Sequence, residues 1–205
     1  MKQIIVATRN EKKLRELARY LRPLKAKVIS LKDIKGAPRI NENGKTFEAN
    51  AKKKALVISR FTKGLVLGDD SGLAVDALGG RPGVRSSRFA GDDASDDGNN
   101  VKLLRSLAGL PPSKRRGRFV CNVAIADKGK VIASIEESCH GRIGFEVRGR
   151  YGFGYDPLFI IPKYNKTFGQ LGPKVKDRMS HRAKALRKTR KFLKEYLKKI
   201  EVCHS

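Results

Sequence analysis

Within its first 68 residues the chain changes apolar period repeatedly, and that alternation limits the folds open to it. Gln3-Ile4-Ile5-Val6-Ala7 is a short apolar run closed by the polar Thr8-Arg9-Asn10, which predicts a buried strand. Leu14, Leu17, Ala18 and Leu21 then recur at helical spacing, with Asn10 placed as an N-cap. Residues 27–31 form a second strand candidate, and 36–45 read as loop. Thr46 caps a helix expected to run to about Phe61, with Phe47, Ala51, Ala55 and Ile58 on one face. Gly64-Leu65-Val66-Leu67-Gly68 is a third strand, expected to end at Asp69-Asp70-Ser71-Gly72.

The second half has a different rhythm. A glycine-rich loop is expected through Gly91. Ser95 or Gly98 then opens a helix carrying Val101, Leu104 and Leu107, which Gly109-Leu110-Pro111-Pro112 stops. Two long strands, 119–126 and 131–139, are joined by a turn at Asp127-Lys128-Gly129, and 158–161 adds a short one. The last helix begins near Ser180 and buries Leu186, Leu193, Tyr196, Leu197 and Ile200. Early alternation followed by paired strands predicts α/β or α+β with a mixed sheet. There is no internal repeat and no clear linker, so the 205 residues are read as a single domain spanning 1–205.

Composition narrows the chemistry. No apolar run approaches the roughly 18 residues of a membrane span, and residues 4–7 are too short for a secretory core, so a cytoplasmic location is expected. Cys121, Cys139 and Cys203 are odd in number and lack CxxC spacing, which favours buried free thiols over a disulfide or zinc framework. The 46 Lys and Arg against 20 Asp and Glu give a net charge of +26, dense over 174–199. Such a balance favours polyanions, whether nucleic acid or nucleotide phosphates. It selects a class of ligand and not a reaction, and a solvated basic helix face is the structural alternative.

Three familiar motifs fail. Gly149, Gly152 and Gly154 run towards a strand and open no helix, so they are not a dinucleotide fingerprint. No GxxxxGK[ST] occurs. Residues 93–98 imitate an EF-hand, but Leu104 stands where its last, bidentate glutamate is required.

Four pieces survive. Thr8-Arg9-Asn10-Glu11-Lys12-Lys13 lies where a strand gives way to a helix N-terminus, a place that attracts phosphate, and Lys13 adds a point charge. Asp69-Asp70-Ser71-Gly72 puts two carboxylates at a strand end, suited to a hard cation or to a general base, or to a turn with solvated aspartates. Gly152-Phe153-Gly154-Tyr155-Asp156-Pro157 sets aromatics beside glycines, so Phe153 or Tyr155 can stack on a base and Asp156 can accept from a ring N–H, with aromatic core packing as the alternative. Ser180-His181-Arg182 supplies donors at a helix start.

In this order the pieces resemble the inosine/xanthosine triphosphate pyrophosphatase family, over nearly the whole chain. The match comprises Thr8-x-Asn10-x-x-Lys13, Thr46-Phe47-x-x-Asn50-Ala51-x-x-Lys54-Ala55, the block from Asp69 to Val84, Gly152 to Phe159, and Lys176 with Ser180-His181-Arg182. The resemblance implies an α/β fold of two lobes around a long mixed sheet with a nucleotide cleft, and a homodimer. It also implies hydrolysis of ITP, dITP and XTP to the monophosphate and pyrophosphate with Mg2+. Carried over residue by residue, Asp70 would be the general base, and Glu42, Asp69 and Asp70 would lie around the metal. The segment from Thr8 through Arg9, Asn10, Glu11, Lys12 and Lys13 would hold the triphosphate together with Lys54, while Ser71 would help position substrate. Phe153, Gly154, Tyr155, Asp156, Lys176, His181 and Arg182 would surround base and sugar. Three features depart from the family: Ala49 where a glutamate is frequent, Gly169-Gln170-Leu171 where Ala-Glu-Leu is usual, and the high basicity. On this reading nucleic acid would bind only weakly and nonspecifically, and no membrane partner is expected.

Overall fold

Strand β1 (Gln3–Val6) pairs in parallel with β2 (Lys27–Ser30) on one side and with β3 (Val66–Val75) on the other. Helices α1 (Glu11–Leu21) and α2 (Phe47–Thr62) make the two crossovers that parallel neighbours require. The computed structural model describes residues 3–202, with the side chain of Val202 outside the description. Cys203 lies outside the described residues, while Cys121 and Cys139 are buried free thiols as expected. Among the described residues no helix is long and apolar enough to cross a membrane.

The remaining elements are α3 (Asp96–Ser106), β4 (Arg116–Asp127), β5 (Lys130–Ile143), β6 (Phe159–Ile161), β7 (Lys166–Thr167), α4 (Phe168–Met179) and α5 (His181–Val202). The seven strands form one mixed sheet in the order β2-β1-β3-β4-β5-β6-β7. Lys128 and Gly129 join β4 to β5, both with positive φ (47° and 78°), which the tightest hairpin turn demands. The expected strands at 119–126 and 131–139 are thus the middles of longer ones.

The chain divides into two units. Of the described residues, the first comprises 3–70, Asn122–Glu136 and 185–202; the second comprises Ser71–Cys121 and Glu137–Lys184. In the first, Ile5, Ala7, Leu31, Ile58 and Val66 form one cluster, and Ala51 and Ala55 of α2 meet Ala124 and Ala126 of β4 in another. Gly68 lies where α2 crosses β3: a Cβ there would stand 2.2 Å from the Ala51 carbonyl and 2.6 Å from the Ala55 nitrogen. In the second unit an aromatic core gathers Phe119, Phe159 and Phe168 with Leu73, Leu103 and Leu107.

Two expectations are corrected. The strand that was expected to stop at Asp69 continues to Val75, so Asp69, Asp70, Ser71 and Gly72 are interior strand residues and not a loop. Asp and Gly disfavour strands in isolation, but here buried partners hold the carboxylates. In α3, Val101 is 47% exposed and Leu103 takes the buried place with Leu107. The sequence also hid α4, whose N-terminus is a reciprocal cap. Gln170 N–H donates to Thr167 Oγ1 and Thr167 N–H to Gln170 Oε1. Gln170 therefore fills the capping role available to the family's usual glutamate. At Ala49 the equivalent exchange is halved, because its N–H donates to Thr46 Oγ1 but its methyl returns nothing.

Candidate functional site

In the first unit β3 delivers Asp69 and Asp70 into buried positions, 1% and 6% exposed. Each has a lysine. Lys13 Nζ, from the first turns of α1, lies 2.6 Å from Asp69 Oδ1. Lys54 Nζ, from α2, lies 3.5 Å from Asp70 Oδ1 and 2.7 Å from Glu42 Oε2. Asn50, one turn before Lys54, donates from Nδ2 to Asp70 Oδ2 at 3.0 Å and accepts the Gly44 N–H at 2.8 Å. The second bond pins the loop that carries Glu42.

The electrostatics follow from burial. Desolvation pushes the Asp70 carboxyl above its ordinary value, and the pull of Lys54, Lys13 and the Asn50 hydrogen bond offsets only part of it. For Lys54 the balance is reversed. Burial alone would lower the ammonium, but Asp70, Glu42 and Asp69 together hold it above the usual lysine value. Lys54 is thus a fixed positive charge beside a carboxylate poised to accept a proton.

At the start of α1 the structure differs from expectation in detail. The Lys12 and Lys13 amides both donate to Asn10 Oδ1, and Asn10 N–H donates to Thr8 Oγ1. Those amides already have acceptors, so the anion-attracting groups of this segment are side chains. Glu11 pairs with Lys32 at 2.5 Å, and Arg9 is exposed.

The three carboxylates assigned to metal do not gather into one cage, and among the described residues no group of three or more His, Cys, Asp or Glu does. Asp69 is engaged by Lys13, while Glu42 and Asp70 converge on a single cation, the Lys54 ammonium. Two hard oxygen donors turned towards one positive centre are a set that Mg2+ takes when substrate phosphates supply the rest.

The second unit holds the other group. Arg182, at the start of α5, donates from Nη2 to Ser71 Oγ at 2.7 Å. The Phe153 ring centroid lies 4.6 Å from Lys176 Nζ and 5.5 Å from the Arg182 guanidinium carbon, so two buried cations lie close to one aromatic ring. Asp156 anchors the arrangement, accepting from Phe153 N–H at 2.8 Å and from Lys176 Nζ. Burial raises the Asp156 carboxyl, and Lys176 and Arg182 pull against that. Gly152, at φ 86°, leaves room for this carboxylate; a Cβ there would lie 2.1 Å from Asp156 Oδ2. His181 stacks on Phe119, with ring centroids 4.8 Å apart at 13°.

Tyr155 is not a stacking face. Its ring is buried and its hydroxyl donates to the Ser86 carbonyl at 2.8 Å, which leaves Phe153 as the accessible aromatic of the pair. Asp156 is likewise buried, at 1% exposure, and serves Phe153 and Lys176 in place of a ring N–H. Sequence reasoning missed three residues. Asn50 was visible within the Thr46 block but had no assigned role. Asp96 and Asn100 hold Gly154 through its N–H (2.8 Å) and its carbonyl (3.1 Å), and nothing in their local sequence points to a residue more than fifty positions away.

The fold is α/β, with buried carboxylates matched to lysines in its first unit and an aromatic ring beside two buried cations in its second. The Ham1 family model matches residues 4–192. A dITP/XTP pyrophosphatase of Desulforamulus reducens is 47% identical over 191 residues, covering 93% of this chain and 95% of that protein. One from Geobacillus kaustophilus is 49% identical over 188 residues, covering 92% of each. The structure of a HAM1 protein from Coxiella burnetii matches with a TM-score of 0.88 at 38% identity, over 95% of this chain and 100% of that one. The chain belongs to the Ham1 family.

Proposed function

We propose that this protein hydrolyses non-canonical purine nucleoside triphosphates, ITP, dITP and XTP, to the monophosphate and pyrophosphate in a reaction dependent on Mg2+. The observation that carries the reading is Asp70, a buried carboxylate raised towards the useful range for a base and set beside Lys54 and Lys13. Asp70 takes a proton from water as its oxygen attacks the α-phosphorus; the bond from that phosphorus to the bridging oxygen breaks, and pyrophosphate leaves. Lys13 and Lys54, with Thr8 and Asn10, hold the triphosphate and offset the charge that builds on its oxygens. Glu42 and Asp70 would hold Mg2+, which when bound would neutralise further phosphate charge.

Base selection falls to the second unit. Phe153 offers the stacking face, and Lys176, His181 and Arg182 offer donors. A 6-keto oxygen accepts from such donors, whereas the 6-amino group of adenine is itself a donor and leaves them unmatched. The homodimer and the cytoplasmic setting belong to the same proposal, and light scattering of the purified protein tests the former. The decisive experiment measures pyrophosphate release from ITP, XTP, dITP, GTP, ATP and dTTP with and without Mg2+. Release from ITP, XTP and dITP, only with the metal and without release from ATP, is expected. No release from any of them by folded protein would overturn the proposal.

A further inference from the structure

Helix α5 carries a feature that pyrophosphate release does not use. On the first unit a groove of about 1070 Å³ runs along this helix, with the short turn at Pro23, Leu24 and Lys25 as its other wall. Six cations line it: Lys25, Arg187, Arg190, Lys191, Lys194 and Lys198; Glu201 is the one carboxylate of the lining. Of the five from α5, Arg187, Lys191, Lys194 and Lys198 recur at steps of three and four residues and Arg190 lies beside Lys191, so all fall within one side of the helix, and at about 1.5 Å per residue they span about 16 Å.

Like charges on successive turns cost a helix stability, by a few tenths of a kcal/mol per pair. Lys191, Lys194 and Lys198 are exposed, so water and salt screen part of that cost. Here the charges line a concavity whose lining includes Pro23, Leu24 and Leu197, and a concave wall of one sign concentrates its potential. The row is longer than one triphosphate, and no aromatic side chain lines it to stack on an unpaired base. Cations rooted at fixed places on one helix match phosphates whose spacing base pairing holds fixed.

We propose that this groove binds the sugar-phosphate backbone of duplex nucleic acid without reading its sequence. The proposal is independent of the pyrophosphatase reading, and hydrolysis of ITP is measured separately on every variant. Fluorescence anisotropy with a labelled duplex of about 20 base pairs, over about 50–300 mM KCl, should give a slope of log K against log salt of about −4 to −5. Lys191→Gln/Lys194→Gln/Lys198→Gln should flatten that slope by about three and weaken binding about tenfold or more at 100 mM KCl. Lys194→Gln alone should flatten it by about one. The control Lys35→Gln/Lys45→Gln/Lys130→Gln removes the same charge from exposed sites elsewhere on the first unit and should weaken binding less than about threefold. Equal losses in the two triple variants would mean net charge alone and overturn the proposal, as would absent or salt-independent binding. Tighter binding of a single strand than of the duplex would overturn the duplex assignment. Displacement by tripolyphosphate at equal phosphate concentration would reduce the groove to a small-anion site.

Discussion

Asn50 Nδ2 donates to Asp70 Oδ2 across 3.0 Å, while the other oxygen of that carboxylate faces Lys54 at 3.5 Å. Asn50 and Lys54 stand four residues apart on α2, so one helix face governs the ionisation of the proposed base. Burial raises Asp70 and these two partners lower it, with a net shift upward. A base must be ionised to accept a proton, so activity is present above the raised pKa and lost as pH falls through it. Removing either partner takes away a lowering influence. The acid limb of kcat/KM for ITP should therefore move to higher pH in Asn50→Ala and further in Lys54→Met, Lys54 being the larger of the two influences. Asp70→Asn should lower kcat by about 10²–10⁴. An acid limb that stays put in both partner variants would remove Asp70 as the titrating base.

Asp96 and Asn100 grip Gly154 from one face of α3, and Gly154 follows Phe153, the ring that Lys176 and Arg182 approach. Their role is positioning, since each acts through the backbone of the Phe153 segment. Loss of one such hydrogen bond costs about 0.5–1.5 kcal/mol, which as binding is about two- to tenfold. Asp96→Ala and Asn100→Ala should each raise KM for ITP by that factor and leave kcat nearly unchanged. Steady-state kinetics decide it: a fall in kcat at constant KM would place the clamp in the chemical step.

Gly68 sets how closely α2 approaches β3. An alanine methyl at 2.2 Å from the Ala51 carbonyl meets backbone, which cannot rotate away, so the helix must shift. Gly68→Ala should destabilise by about 1–3 kcal/mol and lower Tm by roughly 2–12 °C. The same shift moves Asn50 and Lys54 off Asp70, so kcat should fall by more than Tm alone accounts for at 25 °C. Unchanged Tm and kcat would show that α2 accommodates the methyl by another route.

The legible parts of this chain were those governed by local pattern. Asn10 and Thr46 cap the helices they were expected to cap, and of the alternatives Ser95 and Gly98 it is Ser95 that caps α3, because a side-chain oxygen before an amphipathic run acts over three residues. The apolar stripe of α5 buries Leu186, Leu193 and Leu197 as its spacing requires. The path of β3 through Asp69-Asp70-Ser71-Gly72 was not legible, since every one of those residues favours a turn and the partners that hold them there, Lys13, Asn50 and Lys54 for the carboxylates and Arg182 for Ser71, are distant in sequence. Tyr155 and Phe153 were indistinguishable for the same reason: the Ser86 carbonyl that claims the tyrosine hydroxyl lies 69 positions away. Helix α4 escaped because Gly169, Gly172 and Pro173 argue against a helix, and indeed Gly172, at φ 73°, breaks its geometry.

Arg115 is buried to 2% exposure, and its guanidinium donates to three backbone carbonyls: Ile143 at 3.0 Å, Leu107 at 2.7 Å and Gly144 at 2.6 Å. Burial lowers its pKa from the usual arginine value, and the Phe145 ring lies 4.3 Å from its charge. The residue thus ties the end of α3 to the end of β5 within the second unit. Arg115→Met keeps the bulk and deserts three buried acceptors, each costing about 1–3 kcal/mol when water cannot reach it. Partial rescue by water brings the expected loss to about 3–5 kcal/mol, or a Tm lowered by roughly 6–20 °C. Arg115→Lys restores one donor group in place of a fork and should recover part of the loss. Differential scanning fluorimetry separates the cases: a Tm within about 2 °C of wild type for Arg115→Met would mean that the three carbonyls find other donors and that the guanidinium is dispensable.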